Sequence, residues 1–105
     1  TVWRTAFLQK RPYFSLDDLS DAIIHIIKKN IFRNCIYNLV SKNCTVKEII
    51  DIIKKYSQNI SIEYVDHEIM NQLSYEISNK KFLDTGFIFN SNIDTEIKKT
   101  LNNLF

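Results

Sequence analysis

The chain reads as a small α/β domain of about four helices and three short strands. Two observations predict this. Apolar residues recur at helical spacing in several stretches, each opened by a Ser or Thr. Between them lie short runs of strand formers, so helical and extended patterns alternate along the chain. At 105 residues, 45% apolar and 25% charged, the composition is that of an ordinary globular protein, and residues 1–105 form one domain with little surplus stability.

Residues 1–10 mix aromatic and basic side chains without a clear period and leave helix or irregular lead-in open. Pro12 restricts Arg11 to extended backbone, so Pro12-Tyr13-Phe14 is expected as a short strand. Ser15, with Asp18 three positions on, resembles a capping box in which Asp replaces the usual Glu. Leu19, Ala22, Ile23, Ile26 and Ile27 then predict a helix over 16–29. Cys35 to Val40 lacks clean alternation, which predicts a strand buried on both faces. Thr45 and Glu48 form a full capping box before Val46, Ile49, Ile50 and Ile53, which predicts a helix over 46–56. Ile60 to Tyr64 alternates as a half-buried strand does, and residues 66–75 read as a loop. Ser78 is expected to cap a short third helix ending at Gly86, and Phe87 to Phe89 to be briefly extended. Ser91 with Asp94 opens a last helix carrying Ile93, Ile97, Leu101, Leu104 and Phe105. A sheet built of these strands alone would be very small. The Tyr37 strand and the first helix are shaped to pack on something larger.

Several chemistries are excluded at this level. The chain has one glycine, so neither a dinucleotide-binding loop nor a P-loop can exist in it. No tyrosine is followed four positions later by lysine. His25, His67, Cys35 and Cys44 have no zinc-ligand spacing. His25, among isoleucines, reads as a packed histidine, and Asp17-Asp18 as helix-start carboxylates serving the cap and the dipole. No stretch approaches the ~20 apolar residues a bilayer span needs. The net charge of +2 argues against nucleic acid, and the pairs Lys28/Lys29, Lys54/Lys55 and Lys98/Lys99 sit where lysine is ordinarily solvated. Two cysteines make no disulfide framework, which fits reduced thiols in the cytoplasm. The start at Thr1, without signal peptide or initiator Met, fits a chain cut from a longer one.

One ordered set of motifs goes further. It comprises Arg11-Pro12-Tyr13 with Asp18-Leu19, Tyr37-Asn38-Leu39, Thr45-Val46-Lys47-Glu48, Ile60 to Tyr64, Lys80-Lys81 with Thr85-Gly86-Phe87, and the closing Ile93 to Leu104 run. In order and spacing, over almost all of residues 11–105, it resembles the C-terminal part of extended short-chain dehydrogenases/reductases, the NAD-dependent epimerase/dehydratase family. The resemblance implies a Rossmann-type enzyme of carbohydrate biosynthesis lacking its dinucleotide-binding half. This portion would bind the substrate and position a nucleotide diphosphate-sugar for epimerisation, dehydration or reduction, without being catalytic alone. NAD or NADP would belong to the full-length enzyme, with none bound by this fragment. The implied partners are the nucleotide-sugar and the missing N-terminal Rossmann domain, with homodimerisation of the full-length enzyme left open and neither nucleic acid nor membrane expected.

The resemblance also implies the site residues. Arg11 matches the family arginine that holds the ligand diphosphate, a task suited to the planar, bidentate guanidinium. A second family arginine is absent from the stretch His67 to Leu73. Asn71 stands where the ribose contact would fall, with Gln72 beside it. Tyr13 and Tyr75 are expected as packing aromatics rather than base stackers. A non-catalytic interaction module derived from the same family is the alternative reading.

Overall fold

The computed structural model describes residues 1–66 and 74–104. It is a mixed α/β domain with four α-helices and short strands among the described residues. The strands are β1 (Val2–Trp3), β2 (Lys10–Tyr13), β3 (Lys42–Thr45) and β4 (Tyr64–Val65), and the helices are α1 (Leu16–Lys28), α2 (Val46–Tyr56), α3 (Lys80–Leu83) and α4 (Ile93–Leu104). A single 3-10 turn, Arg4–Ala6, links β1 to β2.

β2 and β3 pair antiparallel, with Arg11 opposite Cys44 and Tyr13 opposite Lys42. β1 and β4 pair parallel over two residues each. The ladder over Ile60 to Tyr64 is therefore confined to its far end. α2 begins as its capping box dictates: Thr45 Oγ1 accepts from Glu48 N at 3.1 Å, and Glu48 Oε2 accepts from Thr45 N at 3.0 Å. α1 is stopped just past its end by Asn30, whose φ of +53° is the left-handed turn that asparagine tolerates best after glycine. Gly86, at φ +97°, stops the turn after α3.

Three expectations are corrected. Cys35 to Val40 is not a ladder strand. β2 turns into α1 directly after Tyr13, so the last bond on that side is Ser41 N to Tyr13 O at 2.7 Å, and no strand remains for residues further back. On the other side Asn79 replaces a strand, with Oδ1 and Nδ2 each 2.7 Å from the backbone of Val40. Second, Asp18 does not complete a capping box. Ser15 Oγ accepts from Asp18 N at 3.0 Å, but Ser15 N donates to Ser41 Oγ instead of to the Asp18 carboxylate. Third, the cap of α4 is Asn92, whose Oδ1 accepts from Thr95 N at 2.8 Å, while Ser91 turns inward.

The core is small. Ala22 of α1, Phe82 of α3 and Phe87 are buried together, with Ile26, Tyr37, Leu39 and Phe89 packed around them. The rings meet mostly edge to face, Tyr37–Phe82 at 5.4 Å and Phe87–Phe89 at 5.0 Å, which places edge hydrogens against π faces. His25 joins this cluster against Phe82 and Phe87, and its Nε2 lies 2.9 Å from Thr85 Oγ1. α2 packs on α4, where the Tyr56 hydroxyl donates to Asp94 and Lys55 Nζ lies 3.1 Å from the same carboxylate.

The molecule measures 46 × 33 × 16 Å with a radius of gyration of 16.3 Å, against about 13 Å for a compact chain near this length. It is a slab. One stripe of α1 covers the core, and another lies in solvent: Leu16, Ile23 and Ile27 are exposed, as is Ile36 beside them in sequence order. No helix among the described residues is long and apolar enough to cross a membrane.

Candidate functional site

Arg11 sits in the middle of β2, half-buried, opposite Cys44. Gln9 immediately precedes this strand. Arg11 Nη2 donates to Gln9 Oε1 at 2.7 Å, and Nη1 donates to Lys10 O at 2.8 Å. The guanidinium lies over the Tyr75 ring, 5.1 Å from its centroid. This is a cation–π contact, in which the positive charge meets the negative face of the ring.

The segment that carries Tyr75 is fastened to the same two strands. Lys10 N donates to Ser74 Oγ at 2.9 Å, Tyr75 N donates to Lys10 O at 3.2 Å, and Lys10 Nζ pairs with Glu76 at 2.8 Å. The hydrogen bond and charge of Glu76 raise the Lys10 pKa, so the ammonium is retained across the physiological range. Further along, Asn43 of β3 brackets Ile77, donating to its carbonyl at 2.8 Å and accepting from its N–H at 2.9 Å. Asn79 then closes on Val40. The chain from Ser74 to Asn79 is thus held to the sheet largely by polar side chains acting as surrogate strand partners.

Tyr75 is 51% exposed and does not enter the core, contrary to its expected role as a packing aromatic. Tyr13 is half-buried at the end of β2, and burial, reinforced by Cys44 and opposed by Arg11, raises its phenol pKa. Cys44 is buried, and burial pushes its thiol pKa up, which makes it a poor nucleophile. Asn71 and Gln72, the other two expected site residues, lie outside the described residues. Sequence reasoning missed Gln9, which lies just before β2 and outside its strand period. It also missed Asn43 and Asn79, whose roles depend on partners 34 and 39 positions away.

A different cavity of about 310 Å³ opens between the start of α1 and α4, lined by Phe14, Leu16, Ile93 and Ile97 with Lys99 at its mouth. Arg11 does not line it. At the far end of the same α1 terminus lies a sealed polar knot. Asp18, 1% exposed, accepts from Ser91 Oγ at 2.5 Å and from Ser41 Oγ, and Ser15 Oγ stands 3.4 Å from Ser91 Oγ. Asp18 therefore joins α1 to β3 and to the approach of α4, a role well beyond the helix-start cap expected of it. Among the described residues no group of three or more His, Cys, Asp or Glu is placed to hold a metal ion.

No protein-family model matches the chain, and no curated protein matches it.

Proposed function

We propose that this chain is the substrate-binding portion of an NAD(P)-dependent nucleotide-sugar epimerase, dehydratase or reductase, with Arg11 holding the ligand's diphosphate. The observation that carries the reading is the Arg11 guanidinium, placed over a half-exposed Tyr75 on a two-stranded scaffold. Two of its hydrogen-bond acceptors among the described residues, Lys10 O and Gln9 Oε1, are uncharged oxygens. A phosphate oxygen is charged and makes a bond roughly twice as strong, so a diphosphate can take the place of either.

The role of such a site is positioning. Binding energy gained at the diphosphate, remote from the reacting carbon, orients the sugar against a nicotinamide supplied by the rest of the enzyme. NAD or NADP and the proton-shuttling tyrosine belong to the Rossmann half, against which the exposed Leu16, Ile23 and Ile27 stripe of α1 would pack. The alternative, a non-catalytic interaction module, draws on the same exposed stripe.

Calorimetric titration with inorganic pyrophosphate tests the reading. Arg11→Ala should weaken binding at least about tenfold, the worth of one charge-assisted hydrogen bond. Unchanged affinity refutes the phosphate role and leaves the interaction module. Turnover of a sugar nucleotide by the chain alone would refute the positioning role.

A further inference from the structure

We infer that the loop after α1, residues 30–36, docks on an anionic lipid surface, with Phe32 and Ile36 entering the interface and Lys28, Lys29 and Arg33 meeting the headgroups. The inference is independent of the role of Arg11. The net charge of +2 conceals an uneven distribution: from Ala22 to Lys47 the chain carries Lys and Arg but no Asp or Glu. Within that stretch stand Ile36, 81% exposed, and Phe32, 71% exposed and the most exposed aromatic among the described residues. Lys28, Lys29 and Arg33 are exposed too, and no ion pair engages them among the described residues.

The loop is fixed at both roots, so its exposure is not slack. At the start, Asn30 closes a Schellman motif, in which Ile31 N donates to Ile26 O at 3.0 Å and Asn30 N to Ile27 O at 3.2 Å. At the end, Lys81 Nζ donates to Ile36 O at 2.8 Å and lies 5.1 Å from the centroid of the Tyr37 ring. Between them Cys35 N donates to Arg33 O at 2.8 Å, a tight turn with Phe32 and Ile36 on its two sides. Lys29 and Arg33 line one hollow of about 340 Å³ with Asp84, and that carboxylate is paired with Lys80 at 3.0 Å. Other exposed apolar side chains lack this setting. Leu16, 79% exposed, is followed by Asp17 and Asp18, and Ile88, 72% exposed, has no charged residue within three positions.

A lipid surface offers what this loop complements, negative headgroups over an apolar interior. Lys and Arg stems are long enough to stay with the headgroups while apolar side chains go deeper. A fluid interior closes around side chains that stand this far out, with no matching pocket required. A nucleic acid would match the cations but give the aliphatic Ile36 nothing to stack on.

The test is sedimentation of the intact chain with phosphatidylcholine vesicles, with or without phosphatidylserine, and far-UV circular dichroism as the folding control. Anionic vesicles should hold the chain at least about tenfold more tightly than neutral ones, because each cation at the surface is worth about fivefold. Arg33→Gln should cost about fivefold. Phe32→Gln should cost about tenfold although it removes no charge. Ile88→Gln should cost nothing. Failure to sediment with anionic vesicles would overturn the inference, as would equal binding to neutral ones. Unchanged binding by Phe32→Gln would reduce the effect to charge adsorption, and a loss in Ile88→Gln equal to that in Phe32→Gln would reduce it to general stickiness; either sinks the loop as an insertion site. Tighter binding to a single-stranded oligonucleotide than to anionic vesicles, weakened by the same substitutions, would assign the face to nucleic acid instead.

Discussion

Two polar sites flank the β2–β3 pair, and they are opposites. At one, the half-buried Arg11 lies over Tyr75, whose ring is half in solvent. At the other, Asp18 is sealed, and its carboxylate is satisfied by two seryl hydroxyls drawn from elements 23 and 73 residues away. A buried charge survives only where hydrogen bonds replace water, and once so enclosed it cannot meet a ligand. The acidic site is therefore architecture, while the cationic one keeps part of its surface in water. Charge alone does not separate them; solvent access and the origin of the partners do.

The contrast breaks first at Asp18. Asp18→Ala leaves two hydroxyls without an acceptor and should lower the unfolding free energy by about 2 kcal/mol or more, read as a fall in urea midpoint at constant slope. Asp18→Asn, which keeps one acceptor oxygen, should lose less. A loss of under about 0.5 kcal/mol in the alanine variant would mean that the knot is decoration. Arg11→Ala should show the reverse profile, with stability changed by less than about 1 kcal/mol while pyrophosphate affinity falls. A large stability loss there would make Arg11 a second structural site.

Acid sharpens the contrast next. The Tyr56 hydroxyl and then Lys55 hold the Asp94 carboxyl below its ordinary pKa. A carboxylate depressed in the folded state stabilises fully above its unfolded pKa, near 4, and the contribution is lost as pH falls through the folded value. The α2–α4 contact should therefore loosen below about pH 4, visible as amide-signal changes in α4 before the Phe82 cluster is disturbed. Simultaneous loss of both would show a single cooperative unit. The smallest effect belongs to Glu76→Ala. Its ion pair with Lys10 is solvent-exposed, so no resolvable change in urea midpoint is expected, only faster amide exchange at Tyr75. A clear midpoint shift would show that the 74–79 segment is coupled to the core.

What was legible in the sequence was local. The bounds of α2 are those its capping box announces, because Thr45 and Glu48 meet within one turn. α1 runs to Lys28, one residue short of expectation. Pro12 announced an extended segment, and β2 covers Lys10–Tyr13, starting two residues earlier than expected and leaving out Phe14. The rest was not legible because its causes are distant. Whether Cys35 to Val40 pairs depends on where β2 leaves the sheet, and Ile36, 81% exposed, shows that hydrophobicity did not decide it. Asp18 looked like a cap because its local geometry is a cap's; only Ser41 and Ser91 make it a knot. Which of the two apolar stripes of α1 is covered is likewise fixed by Phe82 and Phe87, some sixty positions on.

The thinness of the slab has an evolutionary consequence. With its short axis at 16 Å, few positions can be sealed, and the buried apolar residues described are Ala22, Val40, Cys44, Ile50, Phe82 and Phe87. Packing disciplines only those few, so most other positions are free to follow the mutational bias of the genome, as the abundance of Ile, Lys and Asn indicates. A saturation-mutagenesis map should accordingly be tolerant almost everywhere, with its intolerant sites gathered at these residues and at Asp18. A shape of this kind can outlive nearly all of the sequence that first encoded it.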